Sequence, residues 1–215
     1  MSFAAPKWKQ WLRARRLVRG IECGDTLKSW DVLRTAEFLE ARVPKEAAVL
    51  DIGAYASEIP PILHRVGYRR VCGLDLNPDV VKMPFHATID YRVGDFTHAP
   101  YPDGTFSAIT AISVIEHGFD APALLSEISR LLAPGGYFVA SFDYWPDKIA
   151  TDGITMFDMS WTIFSQPEIE QLLAQAAAYG LSACGPLQAQ ATSALISCAG
   201  KSYTFAWLAL RKTQA

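Results

Sequence analysis

The chain has 215 residues, half of them hydrophobic and a fifth charged, enough to bury a full core as one domain. Its apolar runs, such as residues 106–115 and 203–210, reach only about half of the ~20 residues that a membrane-spanning helix needs, so no span is expected. The net charge of −2 is uneven: Lys7, Lys9, Arg13, Arg15, Arg16 and Arg19 precede the first acidic residue, Glu22, leaving fourteen basic residues against all 22 acidic ones. A body this acidic argues against nucleic acid as a partner.

The basic opening segment carries Trp8, Trp11 and Leu12 at helical spacing and lacks the apolar core of a signal peptide. It reads as a surface helix packed by its tryptophans, with a substrate lid or a contact to a membrane surface as alternatives. Asp25 is a candidate cap for a helix to about Ala41, so residues 1–44 are expected to form a helical lid segment on a single domain, 1–215.

From there short strands alternate with amphipathic segments: "AAVLDIG", the helix "PPILHRVGY", then the strands "RRVCGLDL", "DYRVGDF" and "FSAITAISVI". A helix "APALLSEISRLLA" should end at Pro134-Gly135-Gly136, before the strand "YFVASFDY". The helix "SQPEIEQLLAQAAAYG" has Ser165 as cap, Pro167 in its first turn and Gly180 as its stop. Such repetition implies an α/β fold with a doubly wound, mainly parallel sheet covered on both faces. The last stretches, "LSACGPLQAQ" and "KSYTFAWLALRK", have no helix between them and are expected to pair antiparallel as a hairpin. Cys23, Cys72, Cys184 and Cys198 form no Cys-x-x-Cys pair and read as buried thiols of a reducing cytoplasm, the expected location, rather than disulfides or zinc ligands.

Ligands of such sheets bind beyond the carboxyl ends of the strands. The first strand ends in Asp51-Ile52-Gly53, where glycine permits close backbone approach and Asp51 can hold the loop or a bound ammonium group. The second ends in Asp75, a carboxylate able to accept from both hydroxyls of a ribose. The third ends in Gly94-Asp95-Phe96, an acceptor for an exocyclic amine beside a ring for a base face; the fourth ends in "SVIEHG".

In the order and spacing of "VLDIG", "GLDLNP", "GDFTHAPYPDGTFSAITAISVIEH", "LLAPGGYFVAS", "FSQPEIEQLL" and "YTFAWLALRK", residues 46–212 resemble the class I S-adenosylmethionine-dependent methyltransferases, in their methyltransferase-11-like small-molecule branch. The resemblance implies a seven-stranded Rossmann-like sheet, S-adenosylmethionine as cofactor, and methyl transfer to a small-molecule acceptor such as a hydroxyl. It also implies that Gly53 lines the methionine part, Asp75 the ribose, Leu76 a face of the adenine, and Asp95 with Phe96 its edge and ring. The chain departs from the family's Asp-x-Gly-x-Gly-x-Gly loop in having Tyr55 and Ser57 at the second and third glycine positions. Ser57 can cap the following helix, in a Gly-x-x-x-Ser-x-x-Pro pattern that Gly53, Ser57 and Pro60 match. Tyr55 is expected to contribute its ring to the cofactor pocket near the sulfonium.

If the acceptor is a hydroxyl, a base must take its proton, and His117 past the fourth strand is the best-placed candidate, with Asp143 next and Tyr144 and Asp147 beside it, all expected to be exposed past the fifth strand. The alternative for Glu116 and His117 is tying down their loop. A metal site from Asp143, Asp147 and Asp152 lacks recognisable ligand spacing, so no metal is expected. Residues 145–164 read as a substrate-side insertion whose Trp145, Phe157, Trp161 and Phe164 either stack on an acceptor or pack internally. Two competing readings remain: a nicotinamide-dependent oxidoreductase, which wants an absent Gly-x-Gly-x-x-Gly, and a methyltransferase-like scaffold that lost its cofactor through Tyr55 and Ser57.

Overall fold

The computed structural model describes residues 15–17 and 29–213. The expected helix around Trp8 and Trp11, the Asp25 cap and Cys23 lie outside the described residues. Helix α1 spans Ser29–Glu40, and the βα alternation that follows comprises β1 (Ala48–Ile52), α2 (Ile59–Arg65), β2 (Arg70–Asp75), β3 (Asp90–Val93), β4 (Phe106–Ile112), α3 (Ala121–Leu131) and β5 (Leu132–Tyr144). A two-stranded arm, β6 (Thr155–Met156) and β7 (Met159–Ser160), precedes α4 (Gln166–Ala178), β8 (Leu181–Ala183), β9 (Ile196–Cys198) and β10 (Lys201–Lys212).

The sheet runs β3-β2-β1-β4-β5-β10-β8, with β9 on β10. β1 to β5 are mutually parallel, while β10 lies antiparallel to β5, β8 and β9. The expected doubly wound, mainly parallel sheet with an antiparallel end is therefore present. Alternate residues explain why these strands read as continuous apolar runs: Leu50, Ile109, Phe138 and Phe142 pack toward α3 and α4, whereas Val49, Ala108 and Val139 pack toward α1 and α2. A third cluster, Trp161, Ile163, Tyr203 and Phe205, joins the insertion to β10.

Local signals act as read. Pro60 and Pro61 occupy the first turn of α2; at α4 the Ser165 and Glu168 side chains form a capping box, with Gly180 beyond it at φ +70°. One boundary differs. α3 ends at Leu131 and β5 begins at Leu132, which pairs with Phe106; the register then shifts before Ala108 meets Tyr137. Pro134-Gly135-Gly136 thus forms an irregularity inside the strand, not the gap after a helix, and a Cβ on Gly136 would lie 2.9 Å from the Ala133 carbonyl oxygen.

The C-terminal pairing also has more detail than expected. β8 contributes only Leu181–Ala183, residues 184–195 leave the sheet, and β9 returns to the other end of β10. Cys184 is exposed, and Cys72 and Cys198 are half-buried, so the expectation of uniformly buried thiols fails at Cys184. Residues 15–17 are held on the α1–α2 face: Leu17 is buried, and the Arg65 guanidinium donates to its carbonyl at 2.7 Å.

Candidate functional site

In this strand order the chain reverses direction across the sheet between β1 and β4, and the crevice at their carboxyl ends is the place for a ligand. Gly53, directly after β1, has φ +69°, and its amide and that of Ala54 donate to the Leu74 carbonyl, carrying the chain toward β2. A Cβ at position 53 would stand 2.3 Å from Val114 Cγ2 in the loop after β4. Glycine is thus required by backbone and by space. The other left-handed position of the loop is Ala56, φ +59°, so neither Tyr55 nor Ser57 bears that strain. Ser57 Oγ accepts the Ile59 amide at 3.2 Å, one residue before the helix cap, Glu58.

Asp51 is fully buried and takes a 2.5 Å hydrogen bond from the Thr110 hydroxyl on Oδ1. Burial pushes its pKa up to about 7, opposed by the hydroxyls of Thr110 and Ser57. The Ser57 hydroxyl is near enough to favour the charge, yet Oδ2 keeps no hydrogen bond of ordinary geometry. A buried acceptor in that state suits a cationic donor such as an ammonium group. At the end of β2, Asp75 takes the Tyr55 amide on Oδ2 at 2.9 Å and the Asn77 amide on Oδ1 at 2.7 Å. A carboxylate offers about four lone-pair directions, so two remain for a vicinal diol. Leu76 beside it is exposed.

Tyr55 is tied by its amide to Asp75, and its phenol is among the groups, after Asp79, that raise the pKa of Lys82. Its side chain, 44% exposed, therefore stands on the β2 side of the crevice with Asp75 and Leu76, across from the β4 loop. Past β3, Asp95 is exposed and accepts the amide and hydroxyl of Thr97, each at 2.8 Å, capping a 3₁₀ turn that presents Phe96, half-buried against the core.

The loop after β4 brings in the candidate base. The His117 amide donates to the Val114 carbonyl, and His117 pairs with Trp161 across an antiparallel bridge. Glu116 is buried, its carbonyl accepting the Thr162 amide. The insertion therefore folds back along residues 116–118 and walls the β4 side. Of its aromatics, Trp161 and Phe164 are buried packing, Trp145 is half-buried and Phe157 is exposed.

Asp143 and Tyr144 are corrected by the structure. β5 extends through Tyr144, and both side chains are buried, with Asp143 only 4% exposed; Asp147 alone of the three is exposed. Asp143 Oδ2 accepts the Trp161 indole N–H at 2.8 Å, and its charge adds to burial in raising the Tyr203 pKa. It anchors the insertion to β5 in place of presenting an open carboxylate. No group of three His, Cys, Asp or Glu among the described residues is arranged to hold a metal.

Some contacts carried no sequence signal. The Ser141 hydroxyl on β5 donates to the buried Asp31 of α1 at 2.6 Å, while its carbonyl accepts the Ser113 amide, linking the N-terminal helix to the two strand ends beside the crevice. An open cleft of about 740 Å³ lies elsewhere, between α1, α4 and residues 184–195 against β10, and shares none of Asp51, Gly53, Asp75 or His117.

Residues 50–140 match the family model described as a methyltransferase domain. A ubiquinone biosynthesis O-methyltransferase from Xanthomonas axonopodis pv. citri (strain 306) is 32% identical over 123 residues, 53% of this chain and 51% of that protein. A probable S-adenosylmethionine-dependent methyltransferase from Mycolicibacterium smegmatis is 36% identical over 75 residues, 34% of this chain and 29% of the relative. The chain thus spans about half or less of the curated relatives it matches. Among solved structures, geranyl diphosphate C-methyltransferase from Streptomyces coelicolor A3(2) shares the fold with a TM-score of 0.61 at 19% identity, over 93% of this chain and 87% of that one. In the domain match over residues 50–140 and in its fold, the chain is similar to S-adenosylmethionine-dependent methyltransferases.

Proposed function

We propose that the chain transfers a methyl group from S-adenosylmethionine to the oxygen of a small-molecule acceptor. The observation that carries this is the pair of carboxylates on either side of Gly53: a buried Asp51 with an unused acceptor oxygen and an Asp75 with lone pairs open at the end of β2. The oxygen assignment draws support from the ubiquinone biosynthesis O-methyltransferases that resemble the chain. When bound, S-adenosylmethionine would supply an electrophilic methyl on its sulfonium, with a neutral thioether as the leaving group.

The chain's own residues position the partners. Asp51 takes the ammonium, Gly53 leaves room for close approach, Asp75 takes the ribose hydroxyls, and Leu76, Asp95 and Phe96 take the adenine. Tyr55 closes the outer wall on the β2 side. His117 receives the proton that the acceptor oxygen gives up. Walls from the 116–118 loop and the insertion exclude water and hold the acceptor in line, where alignment contributes most to such displacements. The oxidoreductase reading lacks its loop, and the scaffold reading loses its premise, since Tyr55 and Ser57 sit outside the left-handed positions.

The test is calorimetric titration with S-adenosylhomocysteine and with NAD, followed by transfer of tritiated methyl to a panel of phenols and amines. Binding of the first ligand alone and labelling of phenols are expected. Labelling confined to amines would overturn the oxygen assignment, and no binding of S-adenosylhomocysteine would overturn the whole reading.

A further inference from the structure

The arm of β6 and β7 closes through a two-residue turn, Phe157-Asp158, whose φ values of +54° and +61° are the signs a type I′ hairpin turn requires. Such turns favour Asn-Gly or Gly-Gly, because a Cβ crowds the left-handed backbone. Phenylalanine is a poor choice for that conformation, and core packing does not explain it, since 79% of its surface is exposed. The ring instead meets His117 edge-on, with centroids 5.2 Å apart and planes at 90°.

The arm is held in that place from behind. The Gly118 amide donates to the Ser160 carbonyl, and the Thr162 amide to that of Glu116. Met159 packs over Gly118, 3.4 Å from where its Cβ would be. His117 in turn lies one turn past Val114, the residue that covers Gly53. The exposed ring therefore stands against the loop after β4, whose Val114 covers Gly53.

We propose that Phe157 is an acceptor-binding residue, forming with His117 a notch for a flat apolar ring that carries the nucleophilic oxygen. This rests on the methyltransferase reading of the same site. A ring laid in the notch gains an aromatic face and loses water from both surfaces, whereas a sugar or a charged chain gains little there. His117 is then within reach of an oxygen borne on that ring.

The test is a fluorescence titration of 1-naphthol against the whole chain in saturating S-adenosylhomocysteine, for wild type, Phe157→Gly and Phe157→Tyr. Glycine suits the backbone at 157, so the melting temperature should hold or rise while naphthol affinity falls at least ~5-fold; tyrosine should keep affinity within about twofold. Failure of wild type to bind naphthol overturns the proposal, as does unchanged binding by Phe157→Gly. A fall in melting temperature along with affinity also overturns it, because the ring would then be hairpin packing. Calorimetry with S-adenosylhomocysteine alone separates the two layers: if wild type fails there, the methyltransferase reading falls and takes the notch with it, whereas cofactor binding without naphthol binding removes the notch alone.

Discussion

Val114 and Gly53 meet at the base of the crevice so closely that a β-carbon on residue 53 would lie 2.3 Å from Val114 Cγ2. Gly53→Ala must bear both a left-handed φ and this overlap, about 2–5 kcal/mol together. Val114→Ala in the same chain should return the steric share, about 1–3 kcal/mol, and leave the backbone share. Urea denaturation of the two single variants and the double variant reads the coupling. Strict additivity would show that the loops move apart freely.

Asp75→Ala should weaken S-adenosylhomocysteine by about 1.5–3 kcal/mol, roughly 10- to 150-fold, the usual worth of charge-assisted hydrogen bonds. The same change strips the Tyr55 and Asn77 amides of their acceptor, so calorimetry is paired with a melting curve at saturating ligand. Unchanged affinity in a folded variant would remove Asp75 from the ribose site.

Asp51 makes both stability and binding depend on pH. Its carboxyl rises from an ordinary 3.8 to about 7 through burial. Between about pH 4 and pH 7 the folded chain keeps a proton that the unfolded chain has released, so stability falls as pH rises through that window and levels off above it. The loss is on the order of a few kcal/mol, and Asp51→Asn should flatten it. Binding runs the other way: an ammonium prefers the ionised carboxylate, so affinity for S-adenosylhomocysteine should climb severalfold from pH 6 to pH 8 in wild type and stay level in Asp51→Asn. Parallel pH profiles for the two proteins would end this assignment.

The indole of Trp161 donates to Asp143 inside the third cluster. Trp161→Phe removes the donor and should cost about 1–3 kcal/mol, while Asp143→Asn keeps an acceptor there and should cost less. Turnover supplies the second readout. If Asp143→Asn abolished methyl transfer with melting temperature and S-adenosylhomocysteine affinity preserved, Asp143 would be a proton acceptor after all, and His117 would lose that role.

The ends of β1 and β2 were legible in the sequence because a buried parallel strand is largely apolar up to its carboxyl end, where Asp51 and Asp75 stand; β3, with Asp90 and Arg92 exposed, has no such run and was marked by the glycine and aspartate that follow it. The loop departure at Tyr55 was also visible, but the residue that takes the left-handed conformation was not. Counting from the glycine pattern points to positions 55 and 57, whereas the chain bends at Ala56. Asp143 misled for a different reason: "SFDYWPDK" reads as polar and solvated, yet the insertion brings Trp161 over it. Asp31 with Ser141, 110 residues apart, shows the same limit. Such a contact is made by helix packing on the finished sheet and leaves no local pattern.

The place of β10 bears on how the chain reaches this state during synthesis. Among the described strands β10 is the last to be made, but it lies between β5 and β8. Until it emerges, β5 presents its outer edge from Tyr137 to Tyr144 unpaired, with Phe138, Ala140 and Phe142 beside it, and β8 has nowhere to dock. A nascent chain paused within residues 145–200 is therefore a sticky object, open to edge-to-edge pairing with its neighbours on the same message. Completion of one strand covers this edge in a single step: β10 pairs with β5, gives β8 its partner and receives Trp161, through Tyr203, into the packed cluster.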